Sequence, residues 1–400
     1  MRFSILLPTR ERLELLKYAV QSVLDQDFQD WEIVVSDNAS EQDVAGFLSE
    51  LGDPRVVYLR SDTLLTVTDN WNRALEHASG DYVLMLGDDD GLMRGGLSSA
   101  DSLLRTHDDP ELLYTDAIQY FYPGVLQQGT KPFTRFGYAE FLNGQTEPFW
   151  LSHDEAMHAL KGSLRFKVVY QYNMQYSFVS RQLIQRLADK GPFFQSPYPD
   201  YYATNVAFLM ADRLLVCPWP LVAVGVSPKS FGFFYFNQRE EEGVDLLHNI
   251  PEKALADRVR SVVLPGTDMN TSWLLAMEAL VMNYGAEYRL NASRRKYRFN
   301  QFRAMFASLY PRTRFLQALS EYATWSERIF WFGFLGYAVV AKLFGRRRAE
   351  RIVEGTLAAI ADSYPQPIDD RHHDVGYANL LEFVRAEDPR ALVGLTSPDS

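Results

Sequence analysis

The first 86 residues alternate between two kinds of hydrophobic pattern. "FSILLP" (residues 3–8) is a short apolar run closed by proline, which reads as a buried strand. Leu13, Leu16, Val20, Val23 and Leu24 follow at helical spacing. "WEIVVSD" (31–37) reads as a second strand, and Val44, Phe47, Leu48 and Leu51 as one face of a helix with Ser40 at its N-cap. "RVVYLR" (55–60) is a third strand. Trp71, Ala74, Leu75 and Ala78 mark a third helix with Gly80 as its C′ residue, and "DYVLML" (81–86) is a fourth strand. Strands separated by helices pair in parallel through crossovers, and right-handed crossovers place all four in one doubly wound sheet. The expected class is α/β: a Rossmann-like, mostly parallel sheet flanked by helices.

In such a sheet ligands bind beyond the carboxyl ends of the strands. Thr9 and Arg10 leave the first strand at that edge, Asp37 and Asn38 the second, and "GDDD" delivers Asp88, Asp89 and Asp90 after the fourth. Adjacent carboxylates raise one another's pKa, so the cluster needs either a solvated turn or a cation. A solvated turn does not require that polar residues from three strands converge on one edge. The convergence favours a hard divalent ion, Mn²⁺ or Mg²⁺, held by carboxylates on an exposed loop. No GxGxxG follows the first strand and no GxxxxGK[ST] occurs; the strand ends in "PTRER". A glycine-rich phosphate loop is therefore excluded, and a metal on the acidic cluster can take its place.

Further on, "LLYTDAIQYFY" (112–122) reads as a strand, 124–137 as a loop, 165–181 as containing strand material, and 195–232 as loop, helix, short strand and loop. Asp200 sits where a proline-bounded loop meets that helix. After about residue 240 the pattern becomes mainly helical. The formal charge of −11 is uneven: residues 1–130 hold nine Lys/Arg against 23 Asp/Glu, whereas residues 289–314 hold eight Lys/Arg and no acid. Such asymmetry predicts two surfaces with different partners. The single cysteine, Cys217, excludes an internal disulfide framework and fits a reducing compartment. The N-terminus does not read as a signal peptide, and the longest apolar stretch, "IFWFGFLGYAVVA" (329–341), is short for a membrane span. The expected location is cytoplasmic.

"SILLPTR", "WEIVVSDNAS" and "NWNRALEHASGDYVLMLGDDD", with "PDYYATNVAF" and "PLVAVGVSPKSFG" downstream, resemble family 2 glycosyltransferases. These are inverting enzymes of the GT-A fold that use nucleotide-diphosphate sugars. The resemblance covers residues 1 to about 235. It implies a GT-A domain over 1–235, with a nucleotide-sugar-binding half (1–120) and an acceptor-side half (121–235), followed by a helical C-terminal region (236–400).

By the same resemblance, Pro8, Thr9, Arg10, Glu11, Asp37 and Asn38 hold the base and ribose of a donor, UDP-sugar favoured. A carboxylate such as Asp37 accepts well from the uracil N–H; the other role open to it is a turn residue. Asn70 and Arg73 correspond to an Arg-Asn pair of the family in altered form. The family's D-x-D motif falls on Asp88, Asp89 and Asp90, with Gly87 where many members carry the first aspartate. The implied ligands are Asp89 and Asp90 for metal, and Asp88 for ribose or metal. Lys229 and Ser230 lie where they can touch the diphosphate, or form a surface turn around Pro228. Asp200 matches the family's base; its alternative role is the cap of its own helix.

An inverting displacement needs a base on the acceptor hydroxyl, a cation on the leaving diphosphate, and alignment of the two. The implied partners are a nucleotide-diphosphate sugar and a glycan or lipid-linked acceptor in bacterial surface polysaccharide assembly. No nucleic-acid partner is expected, and a homo-oligomer is open. Two other classes fit less well: a silent nucleotide-sugar-binding scaffold, and a sugar-1-phosphate nucleotidyltransferase, whose glycine-rich loop is missing. The basic run Arg289, Arg294, Arg295, Lys296, Arg298, Arg303, Arg312 and Arg314, with interleaved aromatics, and the segment 325–348 predict a C-terminal region that meets a membrane surface peripherally or packs protein.

Overall fold

The computed structural model describes residues 1–116, 118–125, 131–137, 139–237, 252–264, 269–307, 312–343, 345–361, 373–374 and 376–394. The opening alternation folds as read: β1 (Phe3–Thr9), α1 (Leu13–Leu24), β2 (Trp31–Asp37), α2 (Val44–Leu51), β3 (Val56–Arg60), α3 (Val67–Glu76) and β4 (Tyr82–Met85). Next come β5 (Gly91–Leu92), α4 (Gly96–Thr106), β6 (Leu112–Thr115), β7 (Ile118–Phe121), β8 (Phe133–Phe136), β9 (Phe149–Leu151) and α5 (His153–Ser163). They are followed by β10 (Ser177–Ser180), α6 (Arg181–Leu187), α7 (Pro199–Met210), β11 (Leu214–Cys217), β12 (Val222–Val226) and α8 (Phe231–Phe236). The helical region holds α9 (Lys253–Val259), α10 (Met269–Tyr288), α11 (Arg294–Ala307), α12 (Arg312–Glu321), α13 (Trp325–Lys342) and α14 (Arg346–Ala361). The chain closes with β13 (His373–Asp374), α15 (Leu380–Ala386) and α16 (Pro389–Leu392).

The main sheet has the order β3-β2-β1-β4-β10-β6-β11-β9. Its first four strands are parallel, as three helical crossovers require, and β10 enters antiparallel between β4 and β6. Ile5, Leu6, Leu7, Ile33, Val34 and Val35 are fully buried, because helices cover both faces of the sheet. Each such side chain contributes about 1.5–3 kcal/mol of burial. In register, Thr9 lies opposite Asp37 and Leu6 opposite Met85, so the polar residues after β1, β2 and β4 do leave at one edge.

Several local readings are corrected. The cap of α2 is Asp43, whose side chain accepts from the Gly46 N–H; Ser40 instead accepts from the Glu11 N–H. Helix α3 ends at His77, and Gly80 lies beyond it, donating its N–H to Ser4 Oγ on β1. The run 112–122 is two strands in different sheets, since the chain leaves the main sheet after Thr115. The stretch read as loop contains β8. A second sheet, β13-β8-β7-β12-β5, packs its own core of Ile118, Tyr120, Phe133, Ala223, Leu380 and Phe383. Its short strands, interrupted by turns, leave no long alternation to read. The last elements return to the N-terminal domain: α15 packs on α1, Arg385 pairs with Asp25 at 2.6 Å, and the Arg390 guanidinium lies 4.1 Å from the Trp219 ring centroid.

The basic run is largely spent inside the helical region. Arg294 pairs with the buried Glu278, Arg298 with Glu327, Arg303 with Glu354, and Lys296 donates to the Ile360 carbonyl. Tyr297 and Phe302 are fully buried among these helices. These four basic residues therefore hold α11 against α9, α10, α13 and α14, while Arg289 and Arg295 are exposed. Tyr310 and the side chains of Arg312, Arg314, Arg346 and Arg347 lie outside the described residues. No described helix is long and apolar enough to cross a membrane.

Candidate active site

The turn after β4 is buried, not exposed: Asp88, Asp89 and Asp90 are 2%, 6% and 1% accessible. Each carboxylate is held. Asp88 accepts from Thr9 Oγ1 at 2.7 Å and from the Arg10 N–H, and Arg12 Nη1 stands 2.9 Å from its other oxygen. Asp89 accepts from Ser227 Oγ at 2.8 Å and faces the same Arg12 nitrogen at 3.5 Å. Asp90 turns the other way and accepts from the Gly87 N–H (2.6 Å), the Gly225 N–H (2.8 Å) and Gln175 Nε2 (3.0 Å). It ties β4, the 174–176 turn and β12 together.

Glycine is required at both N–H donors. A Cβ on Gly87 would stand 2.6 Å from Asp90 Oδ2, and one on Gly225 would stand 1.7 Å from the Asp89 carbonyl oxygen. This gives a physical reason for Gly87 at a place where the resemblance suggested an acid: a side chain there collides with the clamp made by Asp90.

Burial raises the pKa of Asp88, with Arg12 opposing and Asp89 reinforcing the rise. Burial also raises Asp90, reinforced by Asp89 and opposed by its N–H donors. Burial works against the charge on Arg12, but the three carboxylates outweigh it and hold the guanidinium charged. Arg12, Ser227, Gly225 and Gln175 escaped the sequence reading. Only Arg12 carried a signal, as a cation in "PTRER" at the edge where the acids emerge.

Asp37, Asn38, Asn70, Arg73, Glu11 and Ser230 have internal partners. Asp37 is fully enclosed, accepting from the Ser40 N–H, Tyr58 OH and Arg60 Nη1. Asn38 pairs through its amide with both backbone groups of Leu65. Asn70 exchanges hydrogen bonds with Ser36, and Arg73 reaches the Arg60 carbonyl and Ser36 Oγ, so both fasten α3 to the sheet. Glu11 adopts φ 54° and accepts from the Glu41 N–H. Pro8 and Arg10 are half-buried at the edge. Ser230 closes a turn on Ser227, and Lys229 is exposed beside it.

Asp200 is the second residue of α7, after Pro199, and the N-cap is Tyr198, which makes no side-chain cap bond. Half-buried Asp200 is thus not the N-cap, although as a first-turn acid it accepts from the Tyr201 N–H at 3.0 Å. Burial pushes its carboxyl up to about 7, against the pull of the Tyr201 N–H and its own N–H. Two short routes join it to the acidic turn. Ser227 on Asp89 leads to Phe231, whose ring lies 5.5 Å from Tyr198. Gln175 on Asp90 leads to Met174, whose sulfur accepts from Thr204 Oγ1 in α7 at 3.2 Å.

The donor set suits a hard divalent ion in one respect: Asp88 and Asp89 each turn an oxygen toward one cation, the Arg12 guanidinium. Asp90, with both oxygens on N–H donors, is not turned to that point. Asp88 and Asp89 are therefore the residues that would hold a divalent ion, beside the Arg12 guanidinium. Among the described residues no group of three acidic, His or Cys side chains is arranged as a ready metal cage.

A parallel-led α/β sheet that gathers acids at the carboxyl edge of β4, with an antiparallel strand inserted beside it, is a GT-A fold. Residues 4–154 match the model of glycosyl transferase family 2, so this part of the chain is a domain of that family. A Campylobacter jejuni GalNAc(5)-diNAcBac-PP-undecaprenol beta-1,3-glucosyltransferase is 39% identical over 101 residues, covering 24% of this chain and 33% of the relative. An Escherichia coli putative colanic acid biosynthesis glycosyl transferase, WcaA, is 34% identical over 89 residues, covering 22% and 32%. The match spans about a third of the length of these curated relatives. Among solved structures, S. aureus TarS 1-349 in complex with UDP-GlcNAc superposes with a TM-score of 0.45 and 16% identity, covering 76% of this chain and 81% of that one.

Proposed function

We propose that the protein is an inverting glycosyltransferase that moves a sugar from a nucleotide-diphosphate donor, a UDP-sugar first, to a hydroxyl of a lipid-linked or polymeric glycan in bacterial surface polysaccharide assembly. The observation that carries the reading is the pairing of two carboxyl sites: Asp88 and Asp89, both facing Arg12 at the sheet edge, and Asp200, pushed up to about 7, at the start of α7. The relatives' names support the acceptor class, since one acts on an undecaprenol-linked oligosaccharide and the other is named for colanic acid biosynthesis.

The chain's own groups divide the work. The edge after β1 and β2, from Pro8 to Glu11 with Asp37 and Asn38, shapes the base and ribose site, and Asp37 acts there by fixing the loop through Ser40 and Arg60. Asp88 and Asp89 would hold a divalent ion, which would supply Lewis-acid stabilisation of the leaving diphosphate. Arg12, always charged, stays within reach of both carboxylates and of that diphosphate. Asp200 takes the proton from the acceptor hydroxyl as that oxygen attacks the anomeric carbon, a contribution of roughly 10²–10⁴-fold. Lys229, exposed on the turn before α8, adds positive charge on the diphosphate side.

The test is a panel of nucleotide sugars offered with and without Mn²⁺, read by release of the nucleoside diphosphate and by calorimetric binding. One or more UDP-sugars should turn over in the wild type, while Asp200→Asn binds UDP as tightly and turns over far more slowly. A protein that binds nucleotide sugars but releases no diphosphate with any acceptor extract would be a scaffold instead.

A further inference from the structure

Helix α13 has one face packed and the opposite face bare. Trp331, Phe334 and Ala341 are buried against α11, α12 and α14. On the other side Trp325 is 78% exposed, Ile329 71%, Phe332 57%, Val339 67% and Leu343 83%. These positions follow one another by three, four or seven residues, so they form a single stripe along the helix. Gly336 lies in the same stripe with open space where a Cβ would be. With an 18-residue helix the stripe runs about 27 Å. Large contiguous apolar patches are rare on soluble monomers and mark interaction surfaces.

We propose that this face is a membrane-docking surface, occupied by the headgroup and upper acyl region of an anionic bilayer, with α13 lying in the plane. The inference does not depend on the transfer chemistry proposed above. Three observations select lipid as the occupant. The helix is not long and apolar enough to cross a membrane, while its exposed stripe suits shallow burial of about 5–10 Å. Exposed cations rim the far end of the stripe: Lys342 in the last turn of α13, and Arg348 on α14, which packs beside it. Glu354, an acid described on α14, is paired with Arg303. Cations at this position strengthen attachment to an anionic leaflet. Finally, Trp325 begins the stripe and Tyr337 flanks it, both exposed, and these two ring types concentrate at the membrane–water boundary.

The test is flotation of the full chain with vesicles of phosphatidylcholine, alone or mixed with phosphatidylglycerol, at low and high salt. The wild type should float with the anionic vesicles at low salt and less at high salt. The double variant Phe332→Glu/Val339→Glu should stay at the bottom with an unchanged thermal melt, because both positions are exposed. In parallel, brominated lipids should quench tryptophan emission in the wild type, and Trp325→Phe should lose most of that quenching while keeping the rest of the chain intact. A wild type that never floats, flotation untouched by the double variant, or quenching untouched by Trp325→Phe would each overturn the proposal. Sedimentation separates the competing occupant: a wild-type dimer that the double variant turns into a monomer, with no flotation of either, makes the stripe a contact between two copies.

Discussion

Arg12 Nη1 stands 2.9 Å from Asp88 Oδ1, inside a turn where three adjacent carboxylates are almost wholly withdrawn from water. The guanidinium is the counter-charge that makes that burial tolerable. Removing one partner of a buried pair leaves an uncompensated charge and costs about 3–5 kcal/mol. Arg12→Gln is therefore expected to lower stability by about 3 kcal/mol in urea unfolding, since Arg12 keeps partial access to solvent. It also empties the point faced by Asp88 and Asp89. Mn²⁺ should raise the melting temperature of Arg12→Gln more than that of the wild type. Equal shifts in the two proteins would place the ion elsewhere.

Asp200 gives two opposite pH signatures. Its folded-state pKa of about 7 lies above the ordinary 3.8 because burial disfavours the charged form. As a base it must be ionised, so kcat/KM is expected to rise with pH through about 7 and level off above it. For stability the sign is reversed. The unfolded chain releases this proton at lower pH than the folded one, so stability falls as pH rises from about 3.8 to about 7 and stays lower above that. Asp200→Asn does not titrate. Measured at pH values on either side of that window, the variant should gain melting temperature relative to wild type on the alkaline side while its kcat falls on the order of 10²-fold or more. Loss of kcat with no relative gain in stability would mean that Asp200 is not the group titrating.

Gly225 marks the tightest approach in the site. Its absent Cβ would lie 1.7 Å from the Asp89 carbonyl, which is backbone and cannot step aside. Gly225→Ala must therefore push β12 away from the acidic turn and break the Gly225–Asp90 hydrogen bond. The expected destabilisation is about 3 kcal/mol or more, beyond ordinary overpacking in a core. Gly336→Ala, in open space on α13, is the control and should be neutral or slightly stabilising. Similar urea midpoints for both variants would show that β12 can move freely.

The sheet edge was legible because long parallel core strands announce themselves: apolar runs such as Ile5–Leu7 and Ile33–Val35 are buried on both faces and need no alternation to be seen. From that order alone Thr9, Asp37 and the acidic turn could be placed at one edge. The second sheet was not legible, since β5, β7, β8 and β12 are short and pair across large sequence separations. The burial of the turn was hidden for the same reason. Its lid is Gly225, Ser227 and Gln175, more than 80 residues downstream of the carboxylates they bind. A charge pattern shows that Arg298 and Arg303 are basic, but not that each already has an acid from another helix. The exposed stripe of α13 was visible only as an apolar segment, because sequence does not say which half of such a helix meets its neighbours.

The last prediction separates a metal ligand from a structural clamp at Asp90. Both of its oxygens accept from donors, and burial favours its protonated form. Gln175 Oε1, on the amide beside it, is buried with no hydrogen-bond partner. An asparagine has nearly the shape of a protonated aspartate, and a turned Gln175 amide could accept from its N–H₂, but that N–H₂ cannot accept, so either the Gly87 or the Gly225 N–H loses its acceptor. Asp90→Asn should then cost about 1–3 kcal/mol in urea unfolding, less than Asp90→Ala, and retain much of the activity. Asp90→Ala strands the Gly87 and Gly225 N–H groups without an acceptor and should cost about 2–6 kcal/mol, at about 1–3 kcal/mol for each buried group left unpaired. If Asp90 instead ligates the cation, the pattern inverts: Asp90→Asn folds normally but loses Mn²⁺-dependent nucleotide binding, which Asp89→Asn should lose in either case. Calorimetric titration of UDP with and without Mn²⁺ into the three variants distinguishes the two roles. The geometry favours the clamp, because Gly87, Gly225 and Gln175 already take three of about four lone-pair sites on the Asp90 carboxylate.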